Sequence, residues 1–576
     1  MRLTGLGVSP GIGIGRAVVV SRGTRELRFR IPDRRVDAEI ARLQAARAQS
    51  RVQIDHVKER IAAAAGQEHA YLFDAQRLML DDPMLVDRAA EIIRADRLNA
   101  ESALQRALGE LSALFDQLDD PYLRERKGDV ADVVGRLWMN LRAEGDPMRS
   151  VRDSEGPFIL VADEINPSLV AQLDTERFAA FVTDAGSWTY HTAILARSLH
   201  IPAVAGSRHA SAVIPPGAVV AVDGSTGDVL VDPSPDIIAE LESRSRKRRA
   251  YEQSLDEYDA LPAVTLDGTP IRIDANVERP EEAARARARG VEGIGLYRSE
   301  FLLAGTTAAG LDEEAQYVVY RRLIEAMAGG RVTVRTFDVS EAQLGLSPSG
   351  EPTRSPLGLR GLRLSLSFEE VFQAQLRALL RAAVHGSLRI MFPFVTGVEE
   401  LRAARTAVAH AANTLRERGI SVPDVPLGVM IEVPSAALTI DLLASEADFV
   451  SIGTNDLIQY CLAVDRTDDR VSQLYKPLHP AILRVLRHVA RGGARRHRPV
   501  AVCGEMAADP ALLPLLAGLG LREFSMTPAA IPIAKQVVRG LRLAETRKLA
   551  LKVLKAATAD DVERVLAEAA STVKSR

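Results

Sequence analysis

The sequence predicts a multidomain α/β protein whose C-terminal half is a (β/α)8 barrel. Three observations carry that expectation. From Leu261 onward, eight short strand patterns alternate with helical ones: IRIDANV, EGIGLYRSE, RVTVRTFD, LRIMFPFV, PLGVMIEVP, DFVSIGTND, PVAVCGEM and REFSMTP. A helical block from about Val36 to Ala143 precedes them, with periodic runs such as VDAEIARLQAARAQSRVQIDHVKERIAAAA. Between the two, residues 157 to 232 change to the period of short strands. At 576 residues the chain has room for three or four domains of ~150 residues each.

Taken in order, residues 1 to 20 contain LTGLGVSPGIGIGRAVVV, which reads as strand, turn, strand. GIGIG has the look of a dinucleotide loop, but no helix follows it, so its glycines are read as a turn. Asp81-Asp82-Pro83 and Asp119-Asp120-Pro121 punctuate the helical block, which predicts antiparallel helices with short connections. That block holds no cluster of reactive groups and reads as a docking platform. FILVADE, FAAFVTD, PAVAG, AVVAVDG and DVLVD then form a small α/β unit, completed by the first strands of the chain. The helical block becomes an insertion into it. A charged helical stretch follows, and its RSRKRRA run is read as a solvated helix face rather than an anion site. The expected division is 1–20 plus 146–232 for the α/β unit, 21–145 for the helical one, 233–260 for a linker helix and 261–576 for the barrel.

Composition narrows the class. With 47% hydrophobic and 26% charged residues and a formal net charge of -3, nothing global calls for nucleic acid or an anionic membrane. The start, MRLTGLGVSPG, lacks the apolar core of a secretory signal, and no apolar run reaches membrane-spanning length. Cys461 and Cys503 are the only cysteines, which excludes a disulfide framework and fits a reducing cytoplasm. A cytoplasmic enzyme without membrane insertion is expected.

A barrel enzyme carries its reactive groups where strands end. Arg298 ends GIGLYR, Arg335 ends VTVR, Glu432 ends GVMIE, Asn455 and Asp456 end FVSIGTND, and Cys503 lies in PVAVCGE. Arg466 follows in AVDR. A single arginine at a strand end is explained by an ion pair; three arginines, two carboxylates, an amide and a thiol are not. Arginines fork phosphate and carboxylate, hard carboxylate oxygens suit Mg2+, and a thiol beside an enolate carbon can deliver a proton. The implied substrate is a small phosphorylated carboxylic acid whose cleavage leaves an enolate.

Several motifs in order then carry a resemblance: GVSPGIGIGRA, TDAGSWTYHTAILARSLHIPAV, GIGLYRSEFL, VRTFD, LGLRGLR, GVMIEVP, SIGTNDLIQYCLAVDR and CGEMA. Over essentially its whole length the chain resembles the Enzyme I family of the phosphoenolpyruvate-dependent phosphotransferase system. The resemblance implies a swivelling phosphohistidine α/β domain with an inserted carrier-binding helical domain, followed by a phosphoenolpyruvate-binding barrel that also dimerises. It implies that His191, in TYHTAILARS, is the phosphorylated residue and that Cys503 is the proton donor. Phosphoenolpyruvate would be bound by Arg298, Arg335, Asn455, Asp456 and Arg466, and Mg2+ by Glu432 and Asp456. The products would be pyruvate and a phosphohistidine on an HPr-type carrier protein. His191 sits at the expected N-terminus of a helix, where the macrodipole disfavours imidazolium and stabilises an acquired phosphate. Trp188 and Tyr190 beside His191, Gln76 in the helical block and Ser340-Glu341-Ala342-Gln343 after VRTFD depart from the family's usual residues. Three rival readings are weaker. A dikinase or phosphoenolpyruvate synthase needs an ATP-binding domain, and no P-loop signature is present. A non-catalytic phosphoenolpyruvate sensor has no use for the intact reactive set, and a lyase or aldolase barrel leaves the His191 unit unexplained.

Overall fold

The computed structural model describes residues 1–20, 29–65, 77, 79–117, 130, 133–138, 140–141, 156–163, 177–185, 196, 201–303, 312–340, 357–465, 471 and 474–574. They fall into two compact units, Met1–Ala250 and Tyr251–Arg576.

The first unit contains one eight-stranded sheet. Its strands are β1 (Arg2–Thr4), β2 (Leu6–Ser9), β3 (Ile12–Val20), β4 (Phe158–Ala162), β5 (Phe178–Thr183), β6 (Ala203–Ala205), β7 (Val219–Asp223) and β8 (Asp228–Val231), in the order β1-β8-β7-β3-β4-β5-β6-β2. β3 runs parallel to β4, with Arg16 opposite Phe158, and antiparallel to β7. β3 thus lies mid-sheet, next to strands more than 130 residues away in sequence, while β1 and β2 form the two edges. β4 is buried throughout, and its side chains alternate between two cores. Phe158 and Leu160 join Val8 and Phe181 on one face, while Ile159 and Val161 join Val182 and Val222 on the other.

GIGIG departs from the turn expected of it. Only Gly11 turns, at φ +139°, and the rest of the motif lies in β3. There a Cβ on Gly13 would meet the Ala179 carbonyl oxygen at 2.2 Å, and one on Gly15 the Pro157 carbonyl oxygen at 2.6 Å. The glycines admit a neighbouring backbone.

The helical part has helices at Val36–Ala65, Arg88–Asp96 and Ala100–Gln117 around a core that includes Leu43, Ile54, Leu85, Ile93 and Leu104. Asp82 of the first Asp-Asp-Pro signal accepts a hydrogen bond from Met84 N at 2.8 Å and caps the π-helical turn Pro83–Asp87. The second signal lies outside the described residues. The charged stretch is a helix, Pro235–Leu255, whose Arg244 pairs with the buried Asp223 at 2.8 Å and whose Arg248 donates to Ser225 Oγ at 2.9 Å.

The second unit is a closed parallel barrel of eight strands. They are β9 (Arg272–Val277), β10 (Gly293–Arg298), β11 (Arg331–Arg335), β12 (Leu388–Phe392), β13 (Leu427–Ile431), β14 (Phe449–Ile452), β15 (Val500–Val502) and β16 (Glu523–Met526). β16 closes on β9 with Phe524 opposite Ile273. This is the architecture that the eight strand patterns predict. Val332, Val334, Ile390, Val429, Ile431, Val450 and Val502 join the core shared with the surrounding helices. The residues between them line the barrel's inside, where Leu296, Met391, Met430, Phe449 and Cys503 form a separate cluster. Its floor is ionic: Arg331 pairs with Asp274 at 2.6 Å and with Glu523 at 2.8 Å, and Arg272 with Asp274 at 3.0 Å.

Candidate active site at the mouth of the barrel

Period-2 alternation decides which side chains reach the mouth. On β11, Val332 and Val334 face the helices, so Arg331 and Arg335 point inward, at the floor and at the C-terminal end respectively. On β13, Val429 and Ile431 face out, so the inward series passes through Met430 to Glu432. Arg335 Nη1 lies 3.7 Å from Met430 Sδ, which joins the two series. The same alternation carries β15 to Cys503, and β10 ends on Arg298.

Three carboxylates converge there. Asp338, Glu432 and Asp456 each offer an oxygen, all within 4.8 Å of one another. Glu432, 2% exposed, accepts from Phe394 N at 2.6 Å. The chain after β14 must pass close to it: a Cβ on Gly453 would meet Glu432 Oε2 at 2.9 Å. Burial, and then the Asp338 carboxylate, push Glu432 up to about 8 against the opposing pull of Arg335. A dication between these oxygens would remove the repulsion, and an all-oxygen carboxylate set is the donor chemistry that Mg2+ takes.

Cations frame the acids. Arg335 Nη2 donates to Glu300 Oε1 at 2.7 Å, and Nη1 lies 3.2 Å from Asp338 Oδ2. Burial alone would depress this guanidinium, but Glu300 and Asp338 outweigh it and its pKa is raised. Asp338 moves the opposite way: burial raises it, and Arg335 and Arg360 pull it below the usual carboxylate range. Arg298 Nη1 donates to Glu278 Oε1 at 3.3 Å and keeps a partly exposed head. The turn from Arg335 to Asp338 is held from behind. Ser299 Oγ donates to Arg335 O at 2.7 Å, Phe337 N to Gln375 Oε1 at 3.2 Å, and Asp338 N to Glu300 Oε1 at 2.9 Å.

Cys503 is 3% exposed, and its thiol donates to Ile452 O at 3.5 Å. Burial raises its pKa, opposed by Ser451 and by the fields of Arg335 and Arg298. A thiol so placed stays protonated. Asn276 Nδ2 donates to Cys503 O at 3.0 Å, which fixes the backbone that carries the thiol. Asn455 exchanges two hydrogen bonds with Glu505, both at 3.0 Å, and pins the start of the helix Thr454–Leu462 after β14 to the short helical turn Glu505–Ala507 after β15.

Arg298, Arg335, Glu432, Asn455, Asp456 and Cys503 all stand at C-terminal strand ends of one barrel. His191 and Arg466 lie outside the described residues, as do Trp188, Tyr190, Gln76 and residues 341–343. Asp338, Arg360, Glu300 and Glu278 were not singled out by the strand-end rule. Asp338 and Arg360 fall within VRTFD and LGLRGLR, so the motifs contained them. Asp338 is three residues past the end of β11, and Arg360 lies in a connection that no strand end marks.

The chain is similar to known proteins along almost its whole length. The family described as "PEP-utilising enzyme, PEP-binding domain" matches residues 252–543, "PEP-utilising enzyme, N-terminal" matches 4–126, and "PEP-utilising enzyme, mobile domain" matches 155–227. The phosphoenolpyruvate-protein phosphotransferase of Geobacillus stearothermophilus is 38% identical over 97% of this chain and 96% of its own length. That of Cupriavidus necator is 40% identical over 93% of this chain and 94% of its own, and that of Bacillus subtilis 38% identical over 97% and 98%. With such identity sustained along the whole chain, and a barrel mouth that gathers arginines, carboxylates and a neutral thiol, the chain belongs to the phosphoenolpyruvate-protein phosphotransferase family.

Proposed function

We propose that the chain moves the phosphoryl group of phosphoenolpyruvate onto His191, releases pyruvate, and passes the phosphoryl group to a histidine of an HPr-type carrier. The observation that carries this reading is the meeting of Arg298, Arg335, Asp338, Glu432, Asp456 and Cys503 at one barrel mouth.

Arg298 and Arg335, with Arg466, bind the phosphate and carboxylate of the substrate by forked hydrogen bonds. Asn455 orients it. Asp338, Glu432 and Asp456 are the residues that would hold Mg2+, which when bound supplies positive charge to the substrate's oxygens. A ring nitrogen of His191 attacks phosphorus; the N–P bond forms as the bond from phosphorus to the enol oxygen breaks. The electron pair stays on that oxygen as an enolate. Cys503 then gives its proton to the methylene carbon, the keto form of pyruvate results, and the thiolate recovers a proton from water. Ketonisation of the enolate drives transfer to a nitrogen nucleophile without ATP.

The proposed division of labour follows the sequence. Residues 1–20 and 146–232 carry His191, 21–145 dock the carrier, 233–260 link, and 261–576 bind phosphoenolpyruvate and dimerise. No helix among the described residues is long and apolar enough to cross a membrane, and a cytoplasmic location is part of the proposal. The test is labelling from phosphoenolpyruvate with and without Mg2+, followed by addition of purified HPr-type carriers. Label should reach the carrier only through this chain and only with the metal; label that stays on phosphoenolpyruvate in every arm contradicts the proposal.

A further inference from the structure

The helix Pro480–Arg495 buries Ile482, Leu483, Leu486, Val489 and Ala490 against the barrel. Its opposite side carries Arg484, Arg487, Arg491 and Arg495. Spacings of three, four and four residues hold these arginines on one face, in a row about 16 Å long at 1.5 Å per residue. They line a groove of about 510 Å3 between this helix and the helix Ile440–Glu446. Ile440, Gly492 and Leu554 give the groove apolar ground. A Cβ on Gly492 would meet Ile440 Cγ2 at 2.4 Å, so glycine lets the two helices seat closely and brings the arginine row over the groove.

The charge in this groove is not balanced. Asp441 is the one carboxylate among its lining residues. Among the described residues, none of the four arginines makes a hydrogen bond or ion pair. On the same barrel three other surface arginines, Arg377, Arg381 and Arg418, do reach a carboxylate, Glu313. Like charges four residues apart, as in Arg487–Arg491 and Arg491–Arg495, weaken an isolated helix. A row that pays this penalty without a partner of its own is suited to an external anion.

We infer that this groove binds a small molecule carrying at least two phosphate groups, of nucleoside diphosphate size. Guanidinium forks of Arg487 and Arg491 take the phosphates. Leu554, half-buried, supports the uncharged part. The volume falls within the range of small-molecule sites. A second copy of the chain fits poorly, because a two-fold contact would set one arginine row against another. A polynucleotide fits poorly too, since a row of this length on a chain of net charge -3 offers no extended track. The site lies outside the catalytic mouth and does not depend on the reaction proposed above.

The test is isothermal titration of the full chain with ADP and, separately, with inorganic pyrophosphate, in EDTA and low salt. One site per chain is expected, with ADP the tighter probe. Arg487→Glu combined with Arg491→Glu should weaken it by about 20-fold or more, as loss of charge-assisted hydrogen bonds requires. Arg335→Ala, at the mouth, should leave this binding in place. Phosphoenolpyruvate-driven phosphorylation of the groove variant reports that its barrel is intact. Should that pair fail to fold, Arg484→Glu with Arg495→Glu carries the same comparison from the ends of the row. Equal affinity in wild type and groove variant, or no heat with either probe at about 5 mM, overturns the inference.

Discussion

The guanidinium of Arg360 holds the Asp338 carboxylate, with Nη2 3.0 Å from Oδ2, and the same nitrogen lies 3.2 Å from Asp456 Oδ2. Its Cζ lies over the Phe394 ring, 4.9 Å from the centroid, and Nη1 donates to the Tyr460 hydroxyl at 3.1 Å. One cation therefore spaces two of the three converging acids, one from the loop after β11 and one from the first turn of the helix Thr454–Leu462 that follows β14. Gly361 makes the approach possible: at φ +57° it is in the left-handed region, and a Cβ there would meet Phe394 Cβ at 2.7 Å. Arg360→Met is expected to raise the Mg2+ concentration needed for half-maximal activity by about 10- to 100-fold, the usual cost of removing a group that orients metal ligands. A Mg2+ titration of pyruvate formation checks this; an unchanged midpoint would remove Arg360 from the metal account.

Asp338 was not among the residues expected from the sequence, and its role separates two accounts of the site. If it holds metal along with Glu432 and Asp456, Asp338→Asn and Glu432→Gln should each lower Mg2+-dependent phosphorylation by about 100-fold or more. If Asp338 only neutralises Arg335 and Arg360, its substitution should leave the Mg2+ dependence alone and weaken phosphoenolpyruvate binding. Activity measured over both Mg2+ and phosphoenolpyruvate tells the two apart.

Cys503 is predicted to act after substrate binding. Cys503→Ala should slow pyruvate release by about 100- to 10,000-fold, the range of a lost general acid, with little change in KM. The pH dependence has a definite sign. Burial raises the thiol's pKa, so the protonated donor persists to higher pH than a free thiol at about 8.5 would allow. The alkaline limb assigned to Cys503 should therefore lie above that value. A limb below it, abolished in Cys503→Ala, would contradict the buried neutral thiol.

The barrel floor gives a prediction about stability alone. Asp274 is 2% exposed and sits between Arg272 and Arg331. Asp274→Ala strands buried positive charge and should cost about 3–5 kcal/mol, read as a lower urea midpoint. Arg389 differs, because it has no ion pair among the described residues and rests over the Phe449 ring at 5.0 Å. Burial, followed by repulsion from Arg331, lowers its pKa to about 10. Arg389→Met should change stability little or raise it. A larger loss at Arg389 than at Asp274 would reverse this reading of the floor.

Much of this was legible in the sequence. Buried parallel strands flanked by helices leave short apolar runs, and a strand's last inward residue must face the mouth, so Arg298, Arg335, Glu432 and Cys503 could be found by position. Asp338 and Arg360 could not, because what brings them in is the path of loops beyond the strands. GIGIG was misread for a related reason. Glycine admits both a turn and a close backbone neighbour, and only the partner strand, far away in sequence, decides between them. The arginine row of Pro480–Arg495 was equally silent: a charged helix face reads as solvated until it is seen that four arginines share a groove with one carboxylate.

The central claim is that His191 receives the phosphoryl group that the barrel mouth releases. Its most direct measurement is intact mass, before and after acid, of wild-type chain and His191→Ala incubated with phosphoenolpyruvate and Mg2+. The account predicts one acid-labile phosphoryl group on the wild type and none on the variant. The same acid-labile group at full occupancy on His191→Ala would contradict it.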